Sequence, residues 1–581
     1  MSNNWSNILP NFSELKYMKR IFIILLAMIA YVCTSAQLST NERPVSFDPK
    51  IKSLISSKRK IKVVTMSQLD MTKIAKEDAE DEEYDMPPRF GYPHKVNYDL
   101  NNSGTWFELP NGDRLWQLEV VCPAALSVNL CYDKFWIPEG GKFFVFSKDR
   151  KHIIGAFTSK NNKGDRDNIH GFATGLVYGD DVILEYYQPK DVTIDAIISI
   201  EYVVHGYRYI NFGEKSFGDA GSCMVNVNCE EGQDWQNEKK AVARIIIEGA
   251  YYCSGSLINT TNLNEAPFFL TANHCISVVG KDAISNSNLD YTFLYWNYEA
   301  PGCVITNVEP TMLSTSGAIV IANNAYSDFA LLRLTEDPQN LTNYTPYYLG
   351  WDCTGQGGEP GVCIHHPKGD VKKISTVDGL PISSDWNGAN YNSHWSVGWR
   401  STLNGHGMTQ GGSSGSPLLN ATHRVIGQLH GSNCDNCTNP NGRSKYGKFD
   451  VSWTGNYNNS IYRRMNCWLD SLNTGVQTME ALCVMPTAIT MNADQQLYSN
   501  IRITSSGQLT VQSNVEMKGN CSVIVEAGGS LIISGGTLSN VNLVLKQGAT
   551  LQITNGGILE TRNGFIAPVG VNVIVINGQI L

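Results

Sequence analysis

The chain has 581 residues, 42% of them hydrophobic and 17% charged, with 52 glycines and 26 tyrosines. Such a composition excludes a disordered chain, and the length exceeds one ordinary core, so three or four units are expected at roughly 100–200 residues each. Forty-five basic residues against 54 acidic ones give a net charge of −9 with no basic block, which excludes a nucleic-acid partner.

Residues 1–36 carry an address. Lys19-Arg20 precedes an apolar run of 12 residues, Ile21–Val32, and then "CTSAQ". A charged start, a run of this length and a small-residue end predict a secretory signal peptide cleaved after Ala36. "MKRIF" at Met18 predicts translation from there. The run is too short for a membrane span, which needs about 20 residues, so no transmembrane segment is expected once the signal is removed. Of 15 cysteines, 14 remain after Cys33 leaves with the signal. Export with an even count predicts disulfides. The only CxxC is Cys434–Cys437, without a second pair or an HExxH, so no metal is expected.

Residues 37–89 are polar, with the acidic run "KEDAEDEEYD", and predict a solvated linker or prosegment. Residues 90–215 hold short β-type runs such as "TWFELP", "RLWQLEVVC" and "DVILEYYQP", separated by turn dipeptides such as Asn111-Gly112. They predict a β-sandwich-like unit, in which Cys122 and Cys131 are placed to pair across one short segment. Residues 216–475 are rich in cysteine, glycine and aromatic residues and hold the chemistry; "RRMNCWLDSL" predicts a helix closing this block. In residues 476–581, Leu509, Leu531 and Leu551 follow glycines at spacings of 22 and 20 residues. That period predicts a small β-solenoid of about three coils, with a compact sandwich as the alternative.

Three stretches in the third block combine. "FFLTANHC" ends an apolar strand at His274, "SDFALLRL" brings Asp328 into a strand, and "TQGGSSGSPL" frames Ser414 with glycines. Singly, each has an ordinary structural explanation. Together they give His…Asp…Ser in the order used by chymotrypsin-like proteases. A serine hydroxyl is a weak nucleophile at neutral pH and needs an imidazole to take its proton. His274 would be that base and Asp328 would orient it. The backbone N–H groups of Gly412 and Ser414 would form the oxyanion hole.

With "GSCMVNVNC", "CSGSLINTT", "YWNYEAPGC", "IHHPKGDVKKIS", "RVIGQLHG" and "YGKFDVSWTG" in order, residues 221–472 resemble the secreted bacterial lysyl endopeptidases of the chymotrypsin-like superfamily. The resemblance implies an all-β double barrel and a serine endopeptidase with the triad His274, Asp328 and Ser414. It implies polypeptide substrates and no cofactor. It also implies disulfides Cys223–Cys434, Cys229–Cys303 and Cys253–Cys275. Cys353 and Cys363 are close enough in sequence to pair as well, while Cys437, Cys467, Cys483 and Cys521 have no assigned partner. Trp386 and His430 match an aromatic and a histidine beside the family's active site; a half-buried surface tryptophan is the alternative for Trp386. Gly431 would bind extended substrate through its main chain. His365-His366 reads as a structural strand turn.

Two departures stand out. Ser413 precedes the nucleophile where chymotrypsin has an aspartate, so activation by a buried new N-terminus is not expected. Removal of a prosegment, with Lys215 as a cut site, replaces it. The carboxylate that receives lysine in this family is also missing: Ser444 or Lys445 stands in its place, the other usual position is Met408, and Asp435, from the neighbouring loop, is the candidate to reach in instead. With Arg443 and Lys445 nearby, an altered or even acidic preference is expected at the residue before the scissile bond. The whole reads as an exported zymogen, secreted or held at the cell surface by its C-terminal repeats. The alternative is a catalytically dead protease-like adhesion or binding protein.

Overall fold

The computed structural model describes residues 42–58, 60–83, 86–208, 220–277, 288–304, 310, 312–341, 343–433, 437 and 442–581. The signal segment, the Lys215 junction, Cys434 and Asp435 lie outside them. The molecule is almost all β, as the sequence predicts.

Two antiparallel sheets face each other in the N-terminal unit. One is built on Arg114–Val121, Asp181–Gln188 and Lys142–Ser147; the other is built on Gly91–Asp99, Ile197–Gly206 and Ser127–Trp136. Their inner faces alternate buried residues such as Leu118, Val120, Leu130, Phe143 and Leu184 into one core. The sequence before this sandwich is not the linker expected of it. Helices Pro49–Lys58 and Met71–Glu83 flank a strand, Lys62–Thr65, that adds parallel to Leu118–Val121. Residues 76–83 of the acidic run sit on the second helix, where Lys73–Glu77 and Lys76–Glu80 form pairs one turn apart.

Six strands close the first barrel: Val242–Ile247, Tyr251–Leu257, Phe268–Ala272, Phe329–Leu334, Ser314–Asn324 and Asn288–Tyr295. The second runs Pro417–Asn420, Pro360–His365, Lys373–Trp386, Ala389–Trp399, Ser444–Lys448 and Arg424–Ser432, and closes where the last strand pairs with the first. One apolar cluster, including Leu270, Trp351, Ile364 and Phe449, spans the two. The helix expected over Arg463–Leu472 is only one α-turn, Asn466–Leu469, after a 3₁₀ turn at Ile461–Arg463.

The C-terminal region is a parallel β-solenoid. Leu509 pairs with Leu531, Leu531 with Leu551 and Leu551 with Val573, so each step of the leucine period is one coil. One face carries five rungs, from Ala488–Met491 to Asn572–Ile576, where the leucines mark three. The outer rungs put Ile489 and Val573 at the leucine position.

Cysteine pairing departs from expectation in three places. Cys223 pairs with Cys437 and not with Cys434. Cys353 and Cys363 are buried free thiols that join different apolar clusters, the thiol of Cys363 facing Ser416 Oγ at 3.2 Å. Cys122 lies inside the sandwich while Cys131 packs outward against Val204 and Ala250, so neither can reach the other. Cys229–Cys303 and Cys253–Cys275 are joined as expected.

Candidate active site

The strand Phe268–Ala272 ends in a single turn, Asn273–Ile276, which carries His274 out of the first barrel. The turn is fixed from both sides. Cys275 is tied to Cys253 on the neighbouring strand, and Asn273 N donates to the carbonyl of Asp328. Asp328 in turn binds His274 twice: one carboxylate oxygen accepts from its backbone N–H at 2.9 Å, and the other lies 2.8 Å from ring Nδ1. Asp328 holds a left-handed backbone, φ +53°, at the entrance to its strand, an unfavourable conformation kept at the point where the carboxylate must face the ring. Burial pushes the Asp328 carboxyl up, but His430, His274 and the hydrogen bonds from His274 outweigh it and hold the group below the usual range.

A second histidine chain reaches the same carboxylate. His430 Nε2 lies 3.6 Å from Asp328 Oδ2, and its other nitrogen is 2.9 Å from His394 Nε2. His394 Nδ1 is within 2.5 Å of Ser393 Oγ. Trp386 stacks on His430 at 3.6 Å between ring centres and 15° between planes. A side chain on Gly431 would start 2.6 Å from the Trp386 ring, so only glycine lets the tryptophan close over the strand. Burial pushes His430 down to about 3 and His394 to about 4. Burial thus favours the neutral form of both rings. The sequence singles out Trp386, His430 and Gly431; it misses His394 and Ser393, whose link to the site runs across strands.

The loop Thr409–Ser416 separates its three serines. Ser413 and Ser416 are fully buried, and Ser414 alone is partly exposed. The Ser413 hydroxyl is engaged by His365 Nδ1 at 2.7 Å and accepts from Gln410 N. His365 bridges on to Ser375, and His366 Nδ1 meets the Asp370 carbonyl, so both histidines are parts of a buried strand turn. Ser254, on the first barrel, holds the loop in place: its N–H donates to the Ser414 carbonyl and its hydroxyl to that of Gly412. The Gly411 carbonyl accepts from Lys368 N, and the Ser413 carbonyl from Ser416 N. Trans peptide geometry then directs the next N–H groups, those of Gly412 and Ser414, to the opposite side of the loop. Gly412 has φ +90°, and a Cβ there would fall 2.6 Å from the Tyr252 ring, so this turn requires glycine twice over.

Strand Ser444–Lys448 turns Ser444 and Lys445, the two residues expected at the missing carboxylate, to opposite faces. Ser444 pairs opposite Val397 and faces the barrel interior, where Trp399 Nε1 donates to its Oγ at 3.0 Å and Thr409 Oγ1 lies 2.7 Å away. Met408 is buried beside them. Lys445 faces outward and donates to the Asp385 carbonyl at 2.6 Å. Arg443 binds Ser396 Oγ and O. Of the two, Ser444 is the buried one, and both cations are bonded elsewhere.

Among the described residues, two groups of side chains converge closely enough to hold a cation: Cys253, His274 and Cys275, and His274, Asp328 and His430. In the first the cysteines form a disulfide; in the second His274 and the carboxylate bond each other.

Residues 217–447 match the family model described as lysyl endopeptidase, C-terminal domain. Over residues 217–447 the chain is lysyl endopeptidase-like. A lysyl endopeptidase of Pseudomonas aeruginosa is 28% identical over 260 residues, 42% of this chain and 52% of that protein. The secreted RxLR effector protein 73 of Plasmopara viticola is 26% identical over 271 residues, 44% of this chain and 61% of that protein. The chain thus spans about half to three-fifths of these relatives. Among solved structures, a Glu endopeptidase superposes at 15% identity with a TM-score of 0.24, covering 40% of this chain and 94% of that one. A serine endoprotease from Yersinia pestis superposes at 14% identity and 0.25, covering 38% and 63%. The lysyl endopeptidase-like region contains every site residue described above.

Proposed function

We propose that residues 216–475 form an exported serine endopeptidase that hydrolyses polypeptides through an acyl-enzyme on Ser414. The observation that carries this reading is the His274–Asp328 pairing together with a loop in which Ser414 alone of three serines is not buried. In the proposed reaction His274 Nε2 takes the proton from Ser414 Oγ as the oxygen attacks the scissile carbonyl. Asp328 keeps the Nδ1–H tautomer and stabilises the imidazolium, which then protonates the leaving amine. The N–H groups of Gly412 and Ser414 receive the oxyanion, and loss of one such donor typically lowers the rate about 10²–10³-fold. Trp386, His430 and Gly431 line the side that holds the residues before the scissile bond. The pocket for the residue at that bond is closed by Ser444, Thr409, Trp399 and Met408, all uncharged. A buried ammonium without a carboxylate is costly, so an uncharged side chain suits it better than lysine.

The reading extends to the rest of the chain. The N-terminal signal and the disulfides support export. Residues 37–215 act as a prodomain removed near Lys215, and residues 476–581 attach the enzyme to the cell surface. Among the described residues no helix is long and apolar enough to cross a membrane. The test is cleavage of a mixed-sequence peptide library by the matured protein and its Ser414→Ala variant. Cleavage by the first alone, after uncharged residues, supports the proposal. Equal absence of cleavage would return the chain to a protease-shaped binding protein.

A further inference from the structure

The segment Met86–Phe90, between the acidic helix and the sandwich, leaves the N-terminal unit and runs along the first barrel beside the loop of Ser414. Tyr252 N donates to the Pro88 carbonyl at 3.1 Å, Phe90 N donates to the Ala250 carbonyl at 2.9 Å, and Arg89 pairs antiparallel with Tyr251. The segment is thus one more strand on the edge of Tyr251–Leu257. That edge borders the active-site loop: the Tyr252 ring packs at Gly412, and Ser254 is bonded to Gly412 and Ser414. Pro88 touches the loop directly, its Cγ 3.1 Å from where a Cβ on Gly411 would stand.

We infer that the backbone edge at Ala250–Tyr252, with Gly411, is a binding site for the extended peptide that follows the scissile bond, and that the chain's own residues 86–90 fill it. The polarity supports this assignment. Antiparallel pairing about Arg89 and Tyr251 sets Pro88 opposite Tyr252 and leads Pro87 and Met86 toward Ser254, the residue bonded to Ser414. Met86 packs on the cluster that contains Cys253 and Cys275, which flank His274 in space and in sequence. The chain therefore runs from the nucleophile outward, the direction taken by the leaving-group half of a substrate. Prolines at 87 and 88 suit an occupant that is held and not cut, because their fixed φ favours an extended chain and they offer no N–H to the site.

Clamps on both sides hold the segment there. Phe90 is fully buried with Ile246, Tyr252, Phe293 and Tyr295. The guanidinium of Arg89, 9% exposed, meets Asp78 at 2.9 Å and Glu77 at 3.0 Å, and its Nε donates to Tyr207 Oη at 3.1 Å. The acidic run of the sequence thus acts as the anchor of a self-inhibiting strand. This inference rests on the serine endopeptidase reading, and the experiment separates the two.

The full-length chain and its Arg89→Ala variant are offered two substrates with the same four residues, Ala-Ala-Pro-Leu, before the scissile bond. One ends there in 4-nitroaniline; the other continues for four residues. A small fluorophosphonate reports Ser414 in the same samples. The inference expects the wild-type chain to take the label and the anilide but to cut the extended peptide slowly. Arg89→Ala should raise kcat/KM for the extended peptide at least tenfold while the anilide changes less than twofold. Met86→Ser/Pro88→Gly, which keeps the ion pairs, should do the same if Arg89→Ala fails to fold. An unchanged ratio of the two substrates in folded, labelled variants overturns the inference alone. Absence of label and of anilide cleavage in every folded form overturns the endopeptidase reading, and this inference with it.

Discussion

Replacing Ser444 with aspartate tests the pocket most sharply, because it should create a specificity that the wild-type chain lacks. A carboxylate there would find two donors already in place, Trp399 Nε1, 3.0 Å from the present Oγ, and Thr409 Oγ1 at 2.7 Å. An ammonium reaching within about 4 Å of it gains about 4 kcal/mol at an effective dielectric near 20. Desolvation of both charges takes back roughly half, leaving about 2 kcal/mol, or about 30-fold in relative kcat/KM. Lys445 does not quench the new charge, since it points outward to Asp385. The assay compares peptides that differ only in lysine or leucine before the scissile bond. The wild-type chain should favour leucine, and Ser444→Asp should move the lysine-to-leucine ratio up by about 30-fold. A wild-type chain already confined to lysyl bonds, or a variant with an unchanged ratio, would refute the reasoning and direct attention to Asp435.

Other consequences follow from the same geometry. Asp328→Asn should lower kcat by about 10⁴-fold with the fold retained, since asparagine tolerates the left-handed backbone but favours the wrong His274 tautomer; kinetics with a thermal melt would show it, and a loss under tenfold would contradict the role of Asp328. His394 is held near 4 by burial against about 6.5 in the unfolded chain, so its share of stability is complete above pH 6.5 and is lost as pH falls toward 4, about 3 kcal/mol in all. Denaturant midpoints of His394→Gln should therefore fall less than wild type between pH 7 and 4.5, and parallel curves would count against this account. The Cys253–Cys275 bond spans 22 residues, and a Cys253→Ser/Cys275→Ser pair should lose about 3 kcal/mol in urea unfolding.

The sequence was most informative where chemistry forces local neighbours. His274, Asp328 and Ser414 carry flanks that specify a strand end, a strand start and a glycine-shaped loop, and the leucine period of the tail is the coil itself. It was least informative where partners meet across strands. His394 is 36 residues from His430, and only the sheet brings their nitrogens together. Cys437 and Cys434 lie three residues apart in the sequence, a difference that spacing does not resolve. Cys353 and Cys363 are near in sequence, yet they pack into separate clusters. The acidic run looked solvated because its main buried partner, Arg89, belongs to the next segment. That Ser444 faces inward and Lys445 outward needed the strand register, since neighbours on a strand face opposite ways.

The central claim is that Ser414 is a nucleophile activated by His274. Reaction of the folded, exported protein with a fluorophosphonate, followed by peptide mapping, tests it most directly. The account predicts one modified residue, Ser414, with the label lost in His274→Ala and slowed in Asp328→Asn, while Ser413 and Ser416 stay unmodified. A folded protein that takes no label, or labels equally without His274, would contradict it.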